Sequence, residues 1–241
     1  MRPPEIDAVI LDLDDTLWPI APVIDRAEAA LADWVREHAP AVAAIWDINT
    51  LRLMRASLVA ERPQLRNDVL GLRRGTIAAI FAEAGAPAAL AEEAFDFFRA
   101  QRQKVRFYPD ALPALERLAQ RYRLGVISNG FADLRTIGID ARFDTVVSAH
   151  EVGAAKPDAR IFAACAERMG LAPGTMLYAG DDPGNDVIAP KAFGLHAAWI
   201  NRHGRAWPDE HPLPVDDVPE FPDLNALADW LTADTSAQSR S

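Results

Sequence analysis

The sequence holds one cysteine, Cys165, in 241 residues, so no disulfide within the chain can staple the fold. It has no apolar run long enough to span a bilayer; the first strong one, Ala8-Val9-Ile10-Leu11, stops at Asp12. Residues 1–5 carry no apolar stretch of the secretory kind, and a soluble cytoplasmic protein is the expectation. Basic residues are in deficit, 25 Lys and Arg against 35 Asp and Glu, for a net charge of −10. This argues against a sequence-independent grip on nucleic acid, which needs a basic face. It leaves small anionic substrates open, because a metal ion can reverse the field locally. Internal repeats and low-complexity blocks are absent too.

Half of the residues are apolar and a quarter are charged, which supplies ample material for a core. Short apolar runs at 8–12, 124–128, 145–148, 176–180 and 197–200 have the profile of buried parallel strands. From residue 106 onward they alternate with helical patterns. Asp110 is placed to cap a helix bearing Leu112, Leu115, Leu118 and Ala119. Asp158 opens another, carrying Ile161, Phe162, Cys165 and Met169, on whose apolar stripe Cys165 reads as an inert thiol. The alternation predicts an α/β architecture with a parallel, doubly wound sheet.

Residues 17–104 break that rhythm. Ile24, Ala27, Leu31, Trp34, Val35 and His38 share one helix face, and Val42, Ile45, Trp46 and Leu51 start a second stripe. Val69, Leu72, Ile77, Ile80 and Phe81 form a third, and Phe95 and Phe98 belong to a fourth. Breaks near Pro40, Pro63, Gly85 and Pro87 separate them. The pattern predicts a helical bundle inserted after the first strand, above the strand tips where such sheets bind ligands, with its Trp and Phe residues in its own core. The expected division is 1–16 and 105–231 for the sheet domain, 17–104 for the bundle and 232–241 for a polar, disordered tail.

Chemistry becomes legible at Asp12-Leu13-Asp14-Asp15-Thr16. Three acids in four positions beyond a buried strand repel one another unless something positive sits among them. Residues two apart in extended chain face the same way, so Asp12 and Asp14 can converge on one point. A second strand ends in Ser128-Asn129-Gly130, a hydroxyl, an amide and a flexible glycine fit to cradle an anion. Lys156 precedes Pro157 at a helix start, where proline suits the first helical position and the lysine can aim back at the strand tips. Gly180-Asp181-Asp182-Pro183-Gly184-Asn185-Asp186 ends another strand in a second acidic cluster. His150, His196, His203 and His211 show no metal-ligand spacing with one another.

These four segments, in this order, resemble the motifs of the haloacid dehalogenase-like (HAD) hydrolase superfamily, and the match spans nearly the whole chain. The resemblance implies a Rossmann-like three-layer αβα core with an inserted helical cap, Mg²⁺ as cofactor and a covalent aspartyl intermediate. It makes Asp12 the nucleophile and Asp14 the acid that protonates the leaving group and later activates water. Asp12, the backbone carbonyl of Asp14 and Asp181 would hold the metal. Ser128 and the amides of Asn129 or Gly130 would bind phosphoryl oxygens, and Lys156 would neutralise charge shared by phosphate and Asp12. Asp186 would back a metal-bound water or Lys156, while Asp182 is divided between that role and capping a helix. Cap closure, at the level of the family, would exclude water and select the substrate.

Asp14 favours phosphate-ester cleavage over dehalogenation, because a departing halide needs no proton. A nucleotide or sugar-phosphate phosphatase, or a phosphosugar mutase sharing the acid pair, remains the alternative; a receiver-type phospho-acceptor lacks the helical insert. Asp12 to Trp18 followed by Pro22-Val23-Ile24, with Gly180-Asp181-Asp182 and Ala198-Trp199-Ile200, is similar to bacterial phosphatases acting on FMN and on 5-amino-6-(5-phospho-D-ribitylamino)uracil. Trp18, beside the catalytic loop, is a candidate to stack on a flat ring or to pack between cap and core. Arg73 and Arg74 either meet substrate or are solvated helix charges. The expected partner is a small-molecule phosphate ester, with the protein a monomer or homodimer.

Overall fold

Unbroken apolar runs become the strands of one parallel sheet. β1 (Ala8–Leu11), β2 (Arg123–Ser128), β3 (Thr145–Ser148), β4 (Met176–Gly180) and β5 (His196–Ile200) fall on the five runs, and a sixth strand, β6 (Glu220–Phe221), follows. The computed structural model describes residues 3–63, 65, 68–208 and 218–233, so His211 and most of the expected tail lie outside the described residues. The strand order is β3-β2-β1-β4-β5-β6, every pair parallel. From β1 the chain winds outward to β2 and β3, then crosses back to β4 on the other side. The order therefore reverses between β1 and β4, which opens a crevice at the carboxyl ends of those strands. This is the α/β, Rossmann-like architecture expected. Among the described residues no helix is long and apolar enough to cross a membrane.

The described residues divide into two units. The first comprises the described residues of 3–18, 107–128 and 139–233; the second comprises those of 19–106 and 129–138. In the first, Ala8, Ile10, Ile127, Val147 and Tyr178 pack with Phe162, Cys165 and Met169 of the helix Ala159–Met169. Asp158 caps that helix by accepting from the Arg160 amide at 2.9 Å. Burial pushes the Cys165 thiol up to about 12, so it is the inert core residue its spacing implies.

In the second unit, Ala27, Leu31 and Val35 of Ile20–His38 meet Ile77, Ile80 and Phe81 of Val69–Glu83, with Ala94, Phe95 and Phe98 of Ala88–Arg102. The aromatic residues fill this unit's own core, as their spacing implies. Arg73 and Arg74 are also committed there, to Glu28 at 2.7 Å and Glu92 at 2.8 Å. The stripe begun by Val42, Ile45, Trp46 and Leu51 is not one helix. Asp47 breaks it, because its carboxylate accepts from the Asn49 and Thr50 amides and starts the helix Ile48–Glu61 afresh. The unit boundaries also differ from the expected ones. Leu17 and Trp18 stay with the sheet, where Leu17 donates to Leu13 and accepts from Tyr108. Residues 129–138 join the helices: the Asp133 amide donates to Gln103 Oε1 at 2.8 Å, and Phe131 packs on Phe98.

Asp110 does not cap the helix it precedes. Its carboxylate instead takes a bidentate pair of hydrogen bonds from Arg202, at 2.9 and 2.8 Å, and one from the Leu224 amide at the head of the helix Leu224–Thr232. The same guanidinium donates to the Thr16 carbonyl at 2.7 Å and lies 3.9 Å from the centre of the Tyr108 ring. Burial by itself would raise the Asp110 carboxyl, but the bonds from Arg202 and Leu224 hold it below its ordinary value. Its contribution to stability is therefore present above that ordinary value and is lost as pH falls through the lowered one. Asp110→Ala strands a buried guanidinium and is expected to cost about 3–5 kcal/mol in urea unfolding. A loss below about 1 kcal/mol, the scale of an exposed pair, would show that the network is not a buried one.

Candidate active site

At the carboxyl end of β1 the chain turns sharply. Thr16 and Leu17 donate back to the Leu13 carbonyl, and Asp15 takes φ +57°, a left-handed setting that aspartate tolerates. The turn brings the Trp18 carbonyl to the Asp15 amide at 2.8 Å and the Trp18 indole Nε1–H to Asp14 Oδ1, also at 2.8 Å. Trp18 is 0 % exposed and meets Phe107 edge-on at 5.5 Å. Of the two roles open to it, stacking on a flat ring or packing, this burial fits packing. A fully enclosed ring has no face to give, and its polar edge is spent on Asp14.

Asp12 lies where β1 ends, its amide bonded to the Ala179 carbonyl of β4 at 3.0 Å. Its Oδ1 accepts from Lys156 Nζ at 2.8 Å, and the same ammonium donates to Asp186 Oδ1 at 2.7 Å and to the Tyr178 hydroxyl at 2.9 Å. All four side chains are buried. Burial alone would favour the neutral amine, but the carboxylates of Asp12 and Asp186 push the Lys156 pKa well above its ordinary value, so the ammonium stays charged. Burial raises the Asp12 carboxyl, Lys156 pulls it down, and the charge of Asp186 raises it again. Pro157 does not open the following helix; it lies in the turn ahead of the cap Asp158, and that turn delivers the lysine.

Beyond β4 the backbone forms a π-helix, Pro183–Ile188, capped by Asp182 through the Asn185 amide at 2.7 Å. Of the two roles open to Asp182, its carboxylate takes the cap, so the expected place behind the metal or Lys156 is not filled by that side chain. Its amide, however, donates to Asp186 Oδ2 at 3.0 Å. Asp186 is held from both sides, by Lys156 on one oxygen and the Asp182 amide on the other.

Asp181, half-buried, has partners of its own. Arg205 donates to its carbonyl at 2.9 Å and to Oδ2 at 3.1 Å, and Trp199 Nε1–H reaches the same carbonyl at 2.9 Å. Burial, with the charges of Asp186 and Asp15, raises its carboxyl to about 7 against the opposing pull of Arg205. One carboxylate oxygen from each of Asp12, Asp181 and Asp186 lies within 4.8 Å of the others. An all-oxygen, acidic donor set of this kind suits a small hard divalent cation such as Mg²⁺. Ser128 is buried at the end of β2, in register with Ser148 of β3. Asn129 and Gly130 follow it directly but belong to the second unit.

Sequence reasoning passed over Tyr178 and Arg205, and took Trp199 only as part of a segment of likeness, without a partner. The first left a signal, since a tyrosine inside a buried strand needs a partner for its hydroxyl; here it donates to the Ile127 carbonyl at 2.9 Å. Arg205 left none, being one of several basic residues in a loop.

Comparison with known proteins places these features in context. The family model for haloacid dehalogenase-like hydrolases matches residues 6–194. The chain is 30 % identical over 230 residues to the 5-amino-6-(5-phospho-D-ribitylamino)uracil phosphatase YigB of Escherichia coli, covering 92 % of this chain and 96 % of that one. It is 30 % identical over 227 residues to a glyceraldehyde 3-phosphate phosphatase of Methanopyrus kandleri, covering 90 % and 92 %. Among solved structures, a 2-haloacid dehalogenase from Pseudomonas syringae superimposes with a TM-score of 0.87 at 35 % identity, covering 94 % and 98 %.

Gly180 reports how tightly the site is packed. A Cβ there would come within 2.7 Å of Asp186 Cβ, so only glycine leaves room for that carboxylate beside Lys156. Gly180→Ala is expected to destabilise the protein by about 1–3 kcal/mol through overpacking. An unchanged urea midpoint would mean that Asp186 gives way freely.

Proposed function

The chain belongs to the haloacid dehalogenase-like hydrolases, and from that premise we propose that it is a Mg²⁺-dependent phosphatase of small-molecule phosphomonoesters, working through a phospho-aspartyl intermediate on Asp12. A carboxylate oxygen of Asp12 attacks phosphorus, the ester P–O bond breaks, and the leaving alkoxide takes a proton from Asp14. Asp14 then takes a proton from water; the water oxygen attacks the same phosphorus, the bond to Asp12 breaks and phosphate is released. Lys156, charged and fixed by Asp186 and Tyr178, balances the negative charge gathered at Asp12. Ser128, with the amides of Asn129 or Gly130, holds phosphoryl oxygens. A divalent cation held by Asp12, the Asp14 carbonyl and Asp181 would draw charge from the phosphoryl group when bound.

The observation that carries this reading is the second carboxylate. Asp14 lies two residues from Asp12, its charge acts on the Asp12 carboxyl, and its carboxylate is bonded to Trp18. Two-step ester hydrolysis needs a proton donor at that place, whereas a halide leaves without one. The likeness to YigB favours 5-amino-6-(5-phospho-D-ribitylamino)uracil among substrates, and the resemblance of the motifs adds FMN, another ribityl phosphate. The likeness to a 2-haloacid dehalogenase supports a second reading, hydrolytic dehalogenation by the same Asp12.

A screen of phosphate release from FMN, nucleotides and sugar phosphates, run beside halide release from 2-chloropropionate, separates the two. Phosphate release dependent on Mg²⁺ and abolished by a chelator is expected; halide release without added metal would favour the second reading. Asp12→Asn should lower kcat at least about 1,000-fold with the fold retained, since an amide is a poor nucleophile. Because the Asp181 carboxyl is raised to about 7, protons compete with the metal below that pH. The apparent Mg²⁺ dissociation constant, read by calorimetry, should then rise about tenfold per pH unit below about 7 and flatten above it. A pH-independent constant would show that no raised Asp181 carboxyl competes for the metal in this range.

A further inference from the structure

We propose that Trp18 is a positioning residue for proton transfer, fixing Asp14 through its indole N–H; this rests on the phosphatase reading above. Three observations converge on it. Trp18 is fully enclosed, so it is not spent on substrate. Its Nε1–H reaches Asp14 Oδ1 at 2.8 Å across four residues, a span closed by the Asp15 reversal and not by a helix. The backbone clamps the same loop, with the Asp15 amide on the Trp18 carbonyl at 2.8 Å and the Leu17 amide on Leu13 at 2.7 Å. Phe107, edge-on at 5.5 Å, limits rotation of the indole.

The chemistry follows from the partner's character. An indole N–H donates and cannot accept. The bond therefore fixes the plane of the Asp14 carboxyl and favours Oδ1 as the carbonyl-like oxygen. The proton given to the alkoxide, and later received from water, is then carried by Oδ2. Without the indole N–H the carboxyl keeps its identity but loses a bond that orients it, and both proton transfers suffer. Binding of substrate and the attack by Asp12 do not pass through this bond.

The experiment compares kcat and KM of wild type, Trp18→Phe and a variant with benzothiophene in place of the indole, which exchanges N–H for sulfur at nearly constant shape. The substrates run from p-nitrophenyl phosphate through phenyl phosphate to an alkyl phosphate. Both variants are expected to lose about 10- to 100-fold in kcat/KM on the alkyl phosphate, the worth of one hydrogen bond to a charged group; this ratio reports only the first step, in which the leaving group departs. On p-nitrophenyl phosphate, whose leaving group needs little protonation, the change in kcat/KM should stay within about threefold. In an Asp14→Asn background, Trp18→Phe should add no further loss on the alkyl phosphate. Equal losses along the series in the benzothiophene variant, or a further loss in the Asp14→Asn background, would overturn the assignment. Turnover of p-nitrophenyl phosphate by wild type, with Asp12→Asn inactive, tests the phosphatase reading by itself, so the two can fail separately.

Discussion

A buried ammonium shared by two buried carboxylates is the constraint from which the rest of the site follows. Lys156 comes from the turn after β3 and its surroundings, Asp12 from the end of β1, Tyr178 from β4 and Asp186 from the π-helix beyond it. Four separate segments of the chain are thereby tied at one nitrogen. Desolvating an ion costs several kcal/mol, and good geometry with further hydrogen bonds is what offsets it. That geometry is present, with three donor contacts between 2.7 and 2.9 Å and the second oxygen of Asp186 satisfied by the Asp182 amide. Two negative charges against one positive still leave an excess, which fits a place that receives a further cation.

The acids around the strand tips are distinguished by their partners. Asp12 and Asp186 answer to Lys156, Asp14 to an indole, Asp181 to Arg205, and Asp182 to a helix amide. Residues alike in type and close in sequence thus acquire different properties. The Asp181 carboxyl rises to about 7. On the proposed reading, such separation lets carboxylates gathered at the strand tips serve as nucleophile, proton carrier and cation ligand without the roles blurring.

Much of this was legible in the residues. β1 to β5 announce themselves because strands buried on both faces are continuous apolar runs, and a continuous run needs no periodicity to be seen. β6 was invisible: two residues, one of them Glu220, make no pattern, and only pairing with β5 defines them. Capping residues were recognisable as such, but sequence could not say which amide each would serve; Asp158 and Asp182 cap their own helices, while Asp110 serves a helix starting at Leu224. Trp18 was placed beside the catalytic loop with stacking and packing both open, because whether an aromatic ring is enclosed depends on packing partners such as Phe107. Tyr178 hid inside a strand that reads as core. Arg205 became visible only when the loop after β5 folded back to Asp181.

The π-helix at Pro183–Ile188 bears on how Lys156 keeps its counter-ion. A turn of this type carries one residue more than an α-helical turn. The extra residue sets the phase at which Asp186 leaves the backbone, and hence whether it faces Gly180 or swings around the helix axis. Taking one residue out of this stretch would turn Asp186 away from Lys156 without altering the aspartate itself, so the lysine's counter-ion depends on the length of the turn as much as on the residue within it.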